Sequence, residues 1–104
     1  MYENPIAKDL GIETKTTFWE DFSIADKFGI AAIEDTYERA FKEWRSDVNY
    51  LKELILTLNH KIFQYYESHP HMAELYQQKY YEAYNWAGAN LNDEDLRILY
   101  AYLD

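Results

Sequence analysis

Three histidines supply all the imidazole in this chain, and two of them, His69 and His71, flank Pro70 closely enough for their rings to converge on one metal ion. The spacing is not that of a zinc site: HExxH is absent, and no Glu stands three residues before a His as the di-iron carboxylate bundles require. His60, His69 and His71 therefore read as solvent-facing or capping side chains, with a weak pH response through His69 or His71 as the remaining chemistry. Neighbouring acids, Glu20-Asp21, Glu34-Asp35 and Asp93-Glu94-Asp95, are the next candidates, as a general acid and base. They fall on outer faces or in a first helical turn, where nothing shifts a carboxylate toward catalytic use. Ser23, Ser46 and Ser68 lie in no nucleophile elbow, and Gly11, Gly29 and Gly88 are too far apart to cradle a phosphate. With no Cys, thiolate nucleophiles, disulfides and Cys-bound zinc are excluded. No catalytic residue, metal ligand or cofactor site is assigned, and the expectation is a protein that is not an enzyme.

The feature that stands out is aromatic. Of 104 residues 18% are Phe, Trp or Tyr, 11 of them Tyr, and the run from Tyr76 to Trp86 concentrates them. On a helix Tyr76, Tyr80 and Ala83 share an inward face while Tyr81 and Tyr84 look elsewhere, so one core cannot take every ring. Tyr76, Tyr80, Tyr81, Tyr84 and Trp86 are accordingly the candidate protein-contact residues, with Tyr65, Tyr66, Tyr100 and Tyr102 as possible neighbours in an exposed patch. The plainer alternative is a small bundle that covers itself with Tyr.

Helices must position these rings, because Gly and Pro number only 3 and 2 and strong helix formers dominate. Val48 to Tyr66 is the most apolar stretch. Val48, Leu51, Leu54, Ile55, Leu58, Ile62 and Tyr65 form one face, while Leu56, Phe63 and Tyr66 lie off it and widen the arc enough for neighbours on two sides. This is the central helix. Before it, Thr17-Phe-Trp-Glu20 has the form of a capping box. It opens a helix whose Phe18, Phe22, Ala25 and Phe28 share a face and which stops at Gly29. The next helix carries the stripe Ile30, Ile33, Tyr37, Ala40, Phe41 and Trp44, with Asp35–Arg39 and Glu38–Lys42 as exposed pairs. Ser46-Asp47 places a turn near Arg45 to Asp47 rather than one continuous rod. After it, Pro70 ends one helix and opens another, which runs to about Ala87 with Gly88 as its stop and with Met72, Leu75, Tyr76, Tyr80, Ala83, Trp86 and Ala87 inward. Asn92 caps a last helix, which turns Leu96, Leu99, Tyr100 and Leu103 inward.

The reading is all-α: residues 1–16 form an irregular N-terminal arm, and residues 17–104 a single compact bundle of about five helices, the central one sandwiched between the second and fourth. The formal net charge of -9 disfavours nucleic acid and anionic membranes as partners. Neither a secretory leader nor an apolar run near the ~18 residues of a membrane span is visible, so the expected location is the cytoplasm.

Thr17-Phe-Trp-Glu-Asp-Phe-Ser-Ile-Ala-Asp26, Asp35-Thr-Tyr-Glu-Arg-Ala-Phe-Lys-Glu-Trp44, Tyr50-Leu-Lys-Glu-Leu54 and Leu58-Asn-His-Lys-Ile62 resemble a family of small all-α proteins of phages and integrated mobile elements of gut bacteria. The resemblance covers Thr17 to about Ile62 and implies a setting, a bacterial cytoplasm under phage or element control. It brings no activity or ligand with it. Two functions follow as expectations. One is a non-enzymatic accessory or regulatory factor that binds a protein through aromatic rings in an acidic surface, with a homodimer through the helix of Tyr76 to Trp86 as a possible assembly. The alternative is an acidic nucleic-acid mimic that blocks a DNA-binding enzyme, although Arg39, Lys42, Arg45 and Lys52 interrupt the row of acids this needs.

Overall fold

The computed structural model describes residues 16–44 and 47–103, and within them five helices follow one another with no strand. The arm, apart from Thr16, lies outside the described residues. Helix α1 (Phe18–Ala25) forms because Phe18, Phe22 and Ala25 recur at three- and four-residue steps and are all buried. Its capping box does not form. Thr17 has φ -97° and ψ 15°, short of the extended geometry an N-cap needs, and its hydroxyl donates to the Asp21 carboxylate at 2.9 Å. The Phe18 amide donates to Thr16 Oγ1 at 3.4 Å instead. At the other end Gly29 takes φ +108° and donates its amide to the Ala25 carbonyl, a left-handed stop that suits glycine. The expected stop is therefore in place. Phe28, expected inside, is 78% exposed, because the helical phase ends at Ala25 and the turn swings that ring outward.

Helix α2 (Ile30–Trp44) buries Ile33, Tyr37 and Ala40, and Phe41 packs against the same core. Ile30 lies in the first turn at the corner and is half exposed, contrary to its place in the stripe. The Asp35–Arg39 pair forms at 3.2 Å with both side chains mostly in solvent, where such a pair contributes little. The chain then breaks as Ser46-Asp47 implied: Asp47 is extended and its carboxylate accepts from the Asn49 amide at 2.9 Å, capping helix α3 (Val48–Tyr65). Arg45 and Ser46 lie outside the described residues.

Helix α3 touches the other four helices, α4 most extensively, and every residue from Leu51 to Leu58 is buried. The dry surface is wider than its apolar residues predict, since Lys52, Glu53, Thr57 and Lys61 are enclosed with them. Thr57 disposes of its hydroxyl by donating to the Glu53 carbonyl one turn back. Phe63 and Tyr66, in contrast, point into solvent.

Helix α4 (Pro70–Asn90) opens on Pro70, where a missing amide costs nothing, and buries Ala73, Leu75, Tyr76, Ala83 and Ala87. It does not stop at Gly88. That residue keeps negative φ and the helix continues to Asn90, whose side-chain amide donates to the Trp86 carbonyl at 2.9 Å. Helix α5 (Asp93–Leu103) is capped as expected, with Asn92 Oδ1 accepting from the Asp95 amide at 2.8 Å, and Leu99 is its buried anchor. The Cα radius of gyration, 12.9 Å, matches the ~13 Å of a packed chain of about this length. No helix among the described residues is long and apolar enough to cross a membrane.

Candidate functional site

The most convergent polar group lies where α1, α3 and α4 meet, on a carboxylate that no motif marks. Asp26 sits at the C-terminal end of α1, the wrong end of the helix dipole for an acid. Three donors from two other helices offset this. Lys61 and Tyr65, one turn apart on α3, donate to Oδ2, each at 2.7 Å, and the Tyr76 hydroxyl on α4 donates to Oδ1. The Lys61 ammonium also donates to Ser23 Oγ at 3.0 Å and stands 4.2 Å from the centre of the Trp19 ring, so hydrogen bonds and a cation–π contact use all its faces. The Tyr65 and Tyr76 rings stack at 6.3 Å, and Phe22 meets Tyr76 edge-on.

A lysine beside a carboxylate and two phenols is in principle a group for proton transfer or imine formation. Access decides otherwise here. The Lys61 side chain is 1% exposed and that of Asp26 7%. The cluster is a clamp joining three helices.

Burial sets its titration. Loss of water pushes the Tyr76 and Tyr65 phenols above the usual tyrosine range, and Asp26, as hydrogen-bond acceptor and as a charge, pushes them further. Burial raises Tyr37 likewise, with Glu82 adding to it. Burial holds Lys61 below the usual lysine value, against the pull of Asp26. The signs differ. Raised phenols contribute stability that is complete below the unfolded value near 10 and is lost as pH climbs above it, whereas a depressed lysine burdens the fold at lower pH and is relieved as pH rises. The lysine effect is spent by pH ~10.5, so above it the three phenols dominate and stability falls. Urea unfolding between about pH 10.5 and 12 should give this decline, shallower in Tyr76→Phe. Equal slopes in the two proteins would remove Tyr76 from the cause.

The candidate contact residues are divided by the structure. Tyr76 is wholly interior, its hydroxyl on Asp26, and takes no part in a surface. Tyr81 is 53% exposed, while Tyr80, Tyr84 and Trp86 are half-buried. Tyr81, Tyr80, Tyr84 and Tyr100 form a row of touching rings from α4 onto α5, at centroid distances of 5.6, 6.2 and 5.5 Å. Trp86 instead meets Phe41 of α2 edge-on, toward the core.

Among the described residues no group of three or more His, Asp or Glu is placed to hold a metal ion. His69 and His71 are exposed, and His69 Nδ1 pairs with Ser68 Oγ. His60 departs from its solvent-facing reading, being half-buried edge-on to Trp19 at 4.8 Å.

Two surface grooves flank α2. One, of about 310 Å³, is lined by Tyr37, Glu38, Phe41, Lys42 and Glu82. The other, of about 330 Å³, runs between α1 and α2 over Ala25, Ala32 and Thr36, with Ile24 and Phe28 as apolar walls and Asp21, Asp35 and Arg39 on its rim.

Sequence reading missed the Asp26 clamp because periodicity counts apolar positions alone. The usable signal was Lys61 itself, three residues after Leu58 and four before Tyr65, a charge inside the dry stripe that required a partner. No family model, no curated protein and no solved structure matches the chain.

Proposed function

We propose that this chain is a non-enzymatic protein-binding factor, an accessory or regulatory component of a phage or mobile element working in a bacterial cytoplasm. The observation that carries the reading is the row of tyrosine rings, with Tyr81 outermost, laid across α4 and α5. Tyr brings a large rigid contact area together with a hydroxyl, and rings of this kind dominate protein contacts. The acidic balance, 19 acids to 10 bases, favours a partner with a basic rim around its apolar centre. The setting rests on the resemblance of Thr17 to Ile62. The convergent polar cluster, in this reading, serves the fold and leaves recognition to the surface.

The test is capture by the immobilised chain from a lysate of its host cells, in low and high salt, with Tyr81→Ala/Tyr84→Ala alongside. A partner held through rings stays bound in high salt and is lost from the double variant. Capture that vanishes with salt and ignores the double variant would transfer the function to the acidic mimic.

A further inference from the structure

We infer that the groove between α2 and α4 is a binding site for a small uncharged planar molecule with an amide edge, its carbonyl held by the Tyr37 hydroxyl and its N–H by the Glu82 carboxylate. The groove shares α4 with the tyrosine row but none of its residues, and the inference does not rest on the binding function proposed for that row. Tyr37 is 2% exposed, and its hydroxyl finds no hydrogen-bond partner in the chain. The equally buried Tyr76 hydroxyl is met by Asp26, so the fold supplies an acceptor where the structure alone requires one. A buried phenol left unmet costs stability, and Phe at the same position would avoid that cost. Packing alone gives no reason to keep the hydroxyl.

The neighbours of the ring give its direction. Burial raises the Tyr37 phenol and the charge of Glu82 raises it further; Glu82 lines the groove, so the hydroxyl end of the ring lies on the groove side. What stands over it is movable. The Lys79 ammonium lies 5.2 Å from the centre of the Tyr37 ring and reaches Glu82 only at 3.8 Å, and the Glu82 side chain is 57% exposed. A loose pair of long side chains can part for a ligand. Size and charge then select what enters. The groove, about 310 Å³, is at the small end of ligand pockets and has room for one ring system, with Phe41 as its apolar wall. Glu38 and Glu82 are balanced by Lys42 and Lys79, so on a chain of charge -9 this spot offers no net charge to an ion of either sign. A phenol that holds its proton donates, and a carboxylate only accepts. Their complement is a carbonyl beside an N–H.

Benzamide, benzoate and benzamidine share one shape and differ in that edge, which makes them the probes. Titrated to millimolar levels into the full, nitrogen-labelled chain, benzamide should shift the backbone amide resonances of Tyr37, Phe41 and Glu82. It should bind more tightly than benzoate, which has no donor for Glu82, and than benzamidine, which has no acceptor for Tyr37. Tyr37→Phe should weaken benzamide by roughly two- to tenfold, the contribution of one hydrogen bond, yet unfold at the same or a higher urea concentration than the parent. Lost affinity without lost stability separates a hydroxyl that serves a ligand from one that serves the fold. The inference is overturned by an absence of shifts at millimolar benzamide, by equal affinity in Tyr37→Phe, or by either ion binding as tightly as the amide. A Tyr37→Phe chain less stable than the parent overturns it too, since the hydroxyl would then have a structural partner such as a buried water.

Discussion

Replacing Asp26 by Ala will lower the free energy of unfolding by about 3–5 kcal/mol, the range for breaking a buried ion pair from one side. The substitution leaves an ammonium that is 1% exposed without its carboxylate, beside Ser23 Oγ and the Trp19 and Tyr65 rings, and strips the Tyr65 and Tyr76 hydroxyls of their acceptor. Removing an acceptor costs more than a hydrogen bond contributes, because the Tyr76 hydroxyl stays buried and unsatisfied. Against a total of about 5–15 kcal/mol for a domain, the loss brings the variant near its unfolding midpoint in mild urea. Urea denaturation followed by circular dichroism reads it. The charge can be separated from packing: the double variant Asp26→Leu/Lys61→Met removes both ions and should recover much of the loss. A single variant within ~1 kcal/mol of the parent, where an exposed pair would fall, would mean that the three helices are held without the clamp.

That clamp marks the boundary of what the chain discloses as a string of letters. Helix existence was legible because each stripe is long and regular, and the break between α2 and α3 was legible because Asp47 is a better cap than a helix interior residue. Phe28 and Ile30 were misplaced for one reason. A three- and four-residue count assumes that a helix keeps its phase and its cover to its last and first residues, whereas α1 ends at Ala25, before Phe28, and Ile30 stands in the opening turn of α2 at the corner. Gly88 misled in the opposite direction, since a glycine inside a helix costs only about 1 kcal/mol and the packing of Ala83 and Ala87 holds α4 together past it. Of the contact residues, the alternation between Tyr76 inside and Tyr81 outside follows from helix geometry alone. The tilted contact of Tyr84 with Tyr100 does not, since it depends on how α5 folds back against α3. Lys61 is 35 residues from Asp26 and 38 from Ser23 across the clamp, and no local pattern joins it to them.

The middle and the C-terminal end of α3 give the second large effect, a contrast between two truncations on one helix. Leu54→Ala removes three carbons from a side chain with 0% exposure, a transfer loss of roughly 2.4 kcal/mol before any cavity is counted. The cavity term follows from how little the surroundings can close in. Leu51, Ile55 and Leu58 are equally buried a turn or less away, Thr57 ties its hydroxyl to the Glu53 carbonyl, and neighbouring helices hold α3 from several sides. The loss should thus fall in the upper half of the ~2–5 kcal/mol range for such truncations. Phe63→Ala removes more carbon from the same helix nine residues on, yet its ring is 71% exposed, and the change should stay within about 0.5 kcal/mol. Paired urea melts with equal slopes would give both numbers, since equal slopes mean that only stability has moved. Equal losses in the two variants would contradict the burial of Leu54 and the exposure of Phe63.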